Sequence, residues 1–174
     1  MNITFILAQI FGFLGAISNM VAMQIDDKKK ILLFYVLANF TYGTNYLLLG
    51  AISGAVICFV EGIETIINTI FEHKNKTIPK WLLVIYLLIA LGIGVYTYTS
   101  IIDLLAILGG LLYVLLITVK KESSIRKITF ILMIIWITYD FIVKSYVAGI
   151  NDTIILISTM IGIYRFDIKK GKKA

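Results

Sequence analysis

Three acidic side chains stand inside long apolar stretches of this 174-residue sequence. Glu61 lies near the middle of the apolar run 51–71, Glu64 follows three residues later, and Asp140 lies within the run 128–146. A carboxylate in hydrocarbon costs roughly 3 kcal/mol or more, so it must be paired, hydrated or protonated. Glu61, at mid-depth, is therefore the residue that we most expect to contact a solute or to carry a coupling proton.

Amide, hydroxyl and aromatic side chains accompany these acids at helical spacing. Intervals of three and four residues place them on single helical faces, which predicts polar stripes that meet inside a bundle. The alternative is that they join helices by hydrogen bonds worth about 0.6 to 2 kcal/mol each. The candidate substrate-binding residues are Asn39, Tyr42, Glu61, Glu64, Trp136, Asp140 and Thr159. Asp103 and Asp152 fall at the ends of apolar runs, where we expect helix caps.

The composition predicts that lipid surrounds most of the chain. Hydrophobic residues make up 60%, charged residues 15%, and the mean hydropathy is +0.96. Soluble domains are about 45 to 50% apolar, even when glycine is counted. These values exclude a separate soluble domain and a nucleic-acid reader. Cys58, the single cysteine, excludes an intramolecular disulfide.

Seven apolar runs are long enough to predict transmembrane helices. Runs of this length are not the alternating ten-residue strands of a barrel, and a helix satisfies its own backbone in hydrocarbon. The predicted spans are 3–23, 31–49, 51–71, 81–98, 101–119, 128–146 and 153–166.

The basic residues predict how the chain is oriented. Of the 16 Lys and Arg residues, only Lys144 falls near the side of the membrane opposite to the others. The positive-inside rule then predicts an external N-terminus and a cytoplasmic tail, which requires an odd number of spans. The remaining basic residues are Lys28, Lys29, Lys30, Lys74, Lys76, Lys80, Lys120, Lys121, Arg126, Lys127, Arg165, Lys169, Lys170, Lys172 and Lys173.

Short strings recur at nearly constant separations and predict an internal repeat. The two halves would be 3–71 and 101–166, with 81–98 as a linker helix and 167–174 as a basic cytoplasmic tail. Such a 3+1+3 order gives parallel repeats of the kind found in SWEET-type carriers. The pairs are Leu14-Gly15 with Leu108-Gly109 (94 residues apart), Thr41-Tyr42 with Thr138-Tyr139 (97 apart), and Ile52 with Ile150 (98 apart).

Several strings, in this order, resemble the YgjV-type family of bacterial inner-membrane proteins. They are Leu7-Ala8-Gln9 with Gly12, the charged loop 26–30, Leu47-Leu48-Leu49-Gly50 with Gly54-Ala55, Leu108-Gly109 and Ile163-Tyr164-Arg165-Phe166. The family is distantly similar to SWEET, PnuC and PQ-loop proteins. The resemblance implies a multi-pass protein of the bacterial cytoplasmic membrane. In SWEET-type carriers an Asn pair occupies the positions that fall near Glu61 and Thr159 here, so this chain departs from the sugar-carrier pattern.

These patterns favour a transporter of a small polar or cationic solute that works by alternating access. The solute would contact residues of both repeats, and Glu61 is the candidate for carrying a coupling proton. The sequence offers no nucleophile or metal constellation, so we expect neither an enzyme nor a cofactor, and homo-oligomers remain open. The alternative is a non-transporting receptor or an assembly or scaffold protein with a SWEET-like fold, because fold alone does not determine function.

Overall fold

A computed structural model describes residues 2–23, 28–74, 76–118 and 122–169. These ranges form helices and contain no strand, which confirms the predicted all-helical fold with seven helices. The last helix continues as a π-helical segment, Ile163–Lys169. The helices are α1 (Ile3–Met23), α2 (Lys28–Leu48), α3 (Ile52–His73), α4 (Lys80–Thr97), α5 (Asp103–Thr118), α6 (Glu122–Ile142) and α7 (Tyr146–Gly162).

Helices α6 and α7 differ from their predicted bounds. The first is Glu122–Ile142 rather than 128–146, and the second begins at Tyr146 rather than 153. Hydropathy alone stops at polar and charged residues, whereas α6 has polar residues in its first turn and α7 has Asn151 and Asp152 in its second. The helical chain also continues past 166 into the predicted tail. Several charged residues used in the sequence analysis lie outside the described residues: Asp26, Asp27, Lys120, Lys121, Lys170, Lys172 and Lys173.

The outer faces of the helices are apolar. Five helical segments are long and apolar enough to cross a membrane, and Asp103–Leu116 is apolar but shorter. Large hydrophobic side chains such as Leu88 and Val95 are 63% and 74% exposed. An apolar surface of this extent marks contact with lipid rather than water. The five segments are Ile3–Ala22, Lys29–Leu48, Ile52–His73, Lys80–Thr97 and Tyr146–Lys169.

Six helices follow one another in a closed ring. Helix α1 packs on α2, α2 on α3, α3 on α5, α5 on α6, α6 on α7, and α7 returns to α1. Helix α4 packs on α3 and α5 from outside this ring. Two hydrogen bonds attach it to α3: Tyr86 Oη donates to Asn68 Oδ1 at 3.2 Å, and Ser53 Oγ donates to the Thr97 carbonyl at 2.9 Å.

Glycines allow the helices of the ring to approach closely. The Gly54 amide donates to Tyr139 Oη at 2.9 Å, and a Cβ at Gly54 would lie 2.5 Å from that oxygen. A Cβ at Gly15 would lie 2.9 Å from the Tyr42 ring, and one at Gly109 would lie 2.9 Å from the Trp136 ring. The glycine of each paired Leu-Gly string therefore lies against an aromatic ring of the next helix.

Two similar turns end α2 and α6. Gly50 and Lys144 are the described residues with left-handed backbone, at φ 76° and 65°. The following amides close each turn, as Ala51 donates to the Tyr46 carbonyl at 2.9 Å and Ser145 donates to the Asp140 carbonyl at 2.8 Å. This is the pattern of a Schellman cap. The turns are 94 residues apart. This separation equals that of the Leu-Gly strings and differs from the two other predicted pairings, Thr41-Tyr42 with Thr138-Tyr139 at 97 and Ile52 with Ile150 at 98. Ile52 begins α3, whereas Ile150 lies inside α7.

We expect Gly54→Ala to lower the thermal midpoint of the detergent-solubilised protein. The added methyl group overlaps the Tyr139 hydroxyl, and overpacking of this kind costs about 1 to 3 kcal/mol. Gly92→Ala on α4 is the control, because a Cβ there meets nothing within 4 Å. A Gly54→Ala protein as stable as the Gly92→Ala protein would contradict the described contact.

Candidate functional site

The ring of helices encloses a cavity of about 370 Å³. All six ring helices contribute to its wall, whereas α4 contributes none of the described lining residues. The wall is formed by Asn19, Leu32, Tyr35, Asn39, Tyr42, Tyr46, Cys58, Glu61, Thr65, Asn68, Tyr113, Leu116, Ile125, Thr129, Leu132, Met133, Trp136, Ala148, Asp152 and Ile155.

Two acidic side chains line this cavity from opposite sides of the ring. Glu61 of α3 is 5% exposed, and its Oε1 has no hydrogen-bond partner among the described residues. Asp152 of α7 is 9% exposed and accepts a hydrogen bond from Asn151 Nδ2 at 3.3 Å. None of the described lining residues is Lys, Arg or His. The wall therefore carries acidic groups without a basic counterpart.

Aromatic side chains form much of the remaining wall. Trp136 stacks on Tyr46 with ring centroids 5.8 Å apart and planes 12° apart. Tyr42 Oη accepts a hydrogen bond from Asn151 Nδ2 at 3.0 Å. The Tyr113 and Thr65 hydroxyls are hydrogen-bonded at 2.8 Å. These contacts hold the rings in place around the cavity.

A hydrogen-bond network closes the bundle at the end where α2 and α6 finish. Asn45 joins three segments there, since its Nδ2 donates to the Ala8 carbonyl at 2.6 Å and its Oδ1 accepts from Ser145 Oγ at 2.5 Å. Gln9 Nε2 donates to the Lys144 carbonyl at 3.0 Å. Tyr46 Oη donates to Asp140 Oδ1 at 2.5 Å. We call these four contacts the polar seal.

The cavity extends toward the opposite end, where α2 and α6 begin. Lining residues there, among them Leu32, Leu116 and Ile125, are half-buried rather than buried. An ion pair between Arg126 and Asp167, at 2.5 Å, joins the start of α6 to the π-helical segment. Described basic residues concentrate at this end, which we call the basic side: Lys29, Lys30, Lys74, Lys76, Lys80, Arg126, Lys127, Arg165 and Lys169.

The structure brings four of the seven predicted site residues together at the cavity: Asn39, Tyr42, Glu61 and Trp136. Three others are not among the described lining residues. Glu64 is buried on α3 without a hydrogen-bond partner among the described residues, and Asp140 belongs to the polar seal. Thr159 is half-buried farther along α7.

Asp152 is a site residue that we expected to be a cap. It lies inside α7 because that helix begins at Tyr146, and it faces the cavity from the second turn. Its spacing of three from Ile155 and four from Ala148 is the signal that places it on the lining face. Asp103, by contrast, is a cap, since its carboxylate accepts hydrogen bonds from the Thr99 and Ser100 amides at 2.9 and 2.8 Å.

Apolar outer faces and a central cavity that includes buried polar side chains define a polytopic helical membrane protein. A family model described as a bacterial inner membrane protein, Imp-YgjV, matches residues 6–170. The chain therefore belongs to this family, and it is a multi-pass protein of the bacterial inner membrane. Comparison with curated proteins and with solved structures found no match.

We expect Asn45→Ala to destabilise the protein, because it removes two hydrogen bonds between segments and leaves the buried Ser145 hydroxyl without its partner. Buried polar groups left unsatisfied cost about 1 to 3 kcal/mol each. Thr44→Ala is the matched control, since the Thr44 hydroxyl bonds only the Phe40 carbonyl of its own helix. Thermal melting in detergent measures both variants, and equal midpoints would argue against the polar seal.

Proposed function

We propose that this protein carries a small polar solute across the bacterial cytoplasmic membrane by alternating access. The observation that supports the proposal is the cavity of about 370 Å³, enclosed by six helices and lined by Glu61. Pockets of roughly 300–1,000 Å³ bind small molecules. Transporters built from internal repeats bind their substrates between helices near the middle of the membrane.

The proposed architecture is a SWEET-like 3+1+3 arrangement, with 3–71 and 101–166 as parallel repeats and 81–98 as the linker. Three separate features support a 94-residue offset between the repeats: the Leu-Gly strings, the turns at Gly50 and Lys144, and the glycine–aromatic contacts Gly15–Tyr42 and Gly109–Trp136. The position of α4 outside the ring supports its role as a linker.

The proposed orientation has the N-terminus outside and the tail, 167–174, in the cytoplasm. The described basic residues favour it, since they concentrate at one end of the bundle and Lys144 lies at the other. The positive-inside rule assigns the basic side to the cytoplasm. On this assignment the half-buried wall of the cavity faces inward and the polar seal closes the outer end, as in an inward-facing carrier.

The direct test is solute uptake by proteoliposomes that contain the purified protein. Vesicles are incubated with a defined mixture of sugars, amino acids, nucleosides and organic amines, and their contents are measured by mass spectrometry. The proposal expects at least one solute to enter faster than into empty vesicles. Uptake equal to that of empty vesicles for every solute would favour the alternative, a non-transporting receptor or an assembly or scaffold protein.

Alternating access requires the polar seal to open, and a disulfide across it tests this requirement. A Cβ at Gly12 would lie 3.7 Å from the Val147 Cβ, within the range for a disulfide. In a Cys58→Ser background, we expect oxidation of the Gly12→Cys, Val147→Cys pair to block uptake of the solute identified above. Reduction should restore uptake.

The two single variants, Gly12→Cys and Val147→Cys, are the controls for this cross-link. Both should transport equally under oxidising and reducing conditions, because neither can close an intramolecular bridge. Full uptake by the oxidised pair, with the cross-link verified by mass spectrometry, would argue against opening of the outer end.

We further propose that Glu61 carries the coupling proton. Its depth and its unpartnered Oε1 support this role, since a buried carboxylate must be paired, hydrated or protonated. The titratable side chains around it are Cys58 and Glu64 on α3, Tyr42 on α2, Tyr113 on α5 and Asp152 on α7. No lysine or arginine is among the described lining residues.

We expect Glu61→Gln to abolish the accumulation of solute that an imposed pH gradient drives, because glutamine cannot bind and release a proton. Glu72→Gln is the matched control, on the same helix and outside the lining residues. Uptake is measured with and without the gradient in both variants. Gradient-driven accumulation at the wild-type level in Glu61→Gln would remove Glu61 from the coupling mechanism.

We propose a carrier rather than an enzyme. The proposed partners are a small polar or cationic solute and the lipid bilayer, with no nucleic acid. The positive-inside rule accounts for the basic side, so its charge does not call for nucleic acid as a partner.

A further inference from the structure

The wall of the cavity is acidic at its centre. Glu61 and Asp152 both line it, one from each side of the ring. The described lining residues include no basic side chain that balances them. Burying a carboxylate without a partner is unfavourable, and a bound positive charge removes that cost.

The orientation of Glu61 points to a ligand rather than to a structural ion pair. The side chain is 5% exposed, it lines the cavity, and its Oε1 has no hydrogen-bond partner among the described residues. An acceptor oxygen is thus available on the cavity wall.

The aromatic wall suits a cation with an alkyl body. Rings of Tyr35, Tyr42, Tyr113 and Trp136 surround the same space as the two acids. The face of an aromatic ring attracts a cation within about 6 Å of its centroid, and clusters of such rings recognise quaternary ammonium groups. Sugars need many hydrogen-bond partners, whereas most of this wall is aromatic or aliphatic.

The dimensions exclude a bare metal ion as the best-fitting occupant. A cavity of about 370 Å³ is far larger than the space inside a metal's ligand shell. Calcium takes six to eight oxygen ligands at about 2.3–2.6 Å. The described part of the chain holds no group of three acidic, His or Cys side chains arranged for a metal.

We propose that the cavity binds a small organic ammonium ion, with its charge between Glu61 and Asp152 and its alkyl groups against the aromatic wall. This inference rests on the proposed function and names the class of solute that the carrier takes. A cation and a proton would then compete for Glu61.

The test compares choline with 3,3-dimethylbutan-1-ol, a neutral molecule of nearly the same shape. Binding to the purified, detergent-solubilised protein is measured by titration calorimetry and by the shift in melting temperature. We expect choline to bind and to raise the melting temperature, because a ligand that binds the folded state stabilises it. The neutral alcohol should bind at least about tenfold more weakly, since it lacks the charged interaction.

Variants locate the site. Glu61→Gln should weaken choline binding about tenfold or more, as expected when a charge-assisted contact is lost. Asp152→Asn provides a second acidic variant in case the first fails to fold. Trp136→Leu should also weaken binding, whereas Trp81→Leu and Glu72→Gln, which alter residues outside the lining set, should not.

Three results would overturn the inference: no choline binding, equal binding of choline and the alcohol, or choline binding unchanged in both acidic variants. Proteoliposome uptake separates this failure from failure of the proposed function. Uptake of a neutral or anionic solute without choline binding would support the proposed carrier and contradict the proposed cation site. Choline binding that depends on Glu61, with no uptake of any solute, would support the cation site and contradict the proposed carrier.

Discussion

Polar groups in this protein must find their partners inside the bundle, because the outer faces of its helices contact lipid. The polar side chains consequently converge within the ring formed by α1, α2, α3, α5, α6 and α7. At one end many of them pair with one another, as Asn45 does with the Ala8 carbonyl and Ser145, although Asp140 Oδ2 has no partner among the described residues. Others line a cavity instead, and there Glu61 Oε1 has no partner among those residues. The same constraint thus produces both the seal and the site.

Close helix packing makes this division possible. Gly54 approaches Tyr139 closely enough for its backbone amide to meet the tyrosine hydroxyl. The rings of Tyr42 and Trp136 pack directly against Gly15 and Gly109. Because these glycines have no side chain, the rings of Tyr42 and Trp136 fit between helices and also line the cavity. The glycines therefore determine where these aromatic residues can lie.

Much of the fold followed from hydropathy, and less of the site did. The bounds of α1 were predicted correctly, and so was the number of helices, because apolar runs separated by charges are an unambiguous signal. The starts of α6 and α7 were missed, since polar residues in a helix do not register as part of a span. The α7 error concealed Asp152, which appeared to lie at an interface.

Resemblance was a weaker guide to individual residues than burial and spacing. Thr159 was selected by analogy with the SWEET asparagine pair, yet it does not belong to the described lining set. Glu61, selected for its depth among apolar residues, does line the cavity. Tyr35 and Tyr113 were not selected, because an aromatic residue in an apolar helix resembles any other core residue. The rotation of each helix about its axis decides which aromatic side chains line a cavity. That rotation is part of the tertiary structure and cannot be read from one helix's sequence.

In the proposed repeat, corresponding positions of the two halves carry different side chains. At the 94-residue offset, Tyr42 corresponds to Trp136 and both line the cavity, whereas Glu61 corresponds to Ile155 and Asp152 to Cys58. Each half thus supplies one lining acid, and the two acids do not occupy corresponding positions. On the proposed arrangement, movement of one half against the other changes the separation of Glu61 and Asp152. A cation held between them binds best at one separation, and a ligand shifts a conformational equilibrium only through such a difference in affinity. If the protein is the carrier that we propose, the unequal placement of the two acids gives a cationic solute a physical means to influence which conformation it adopts.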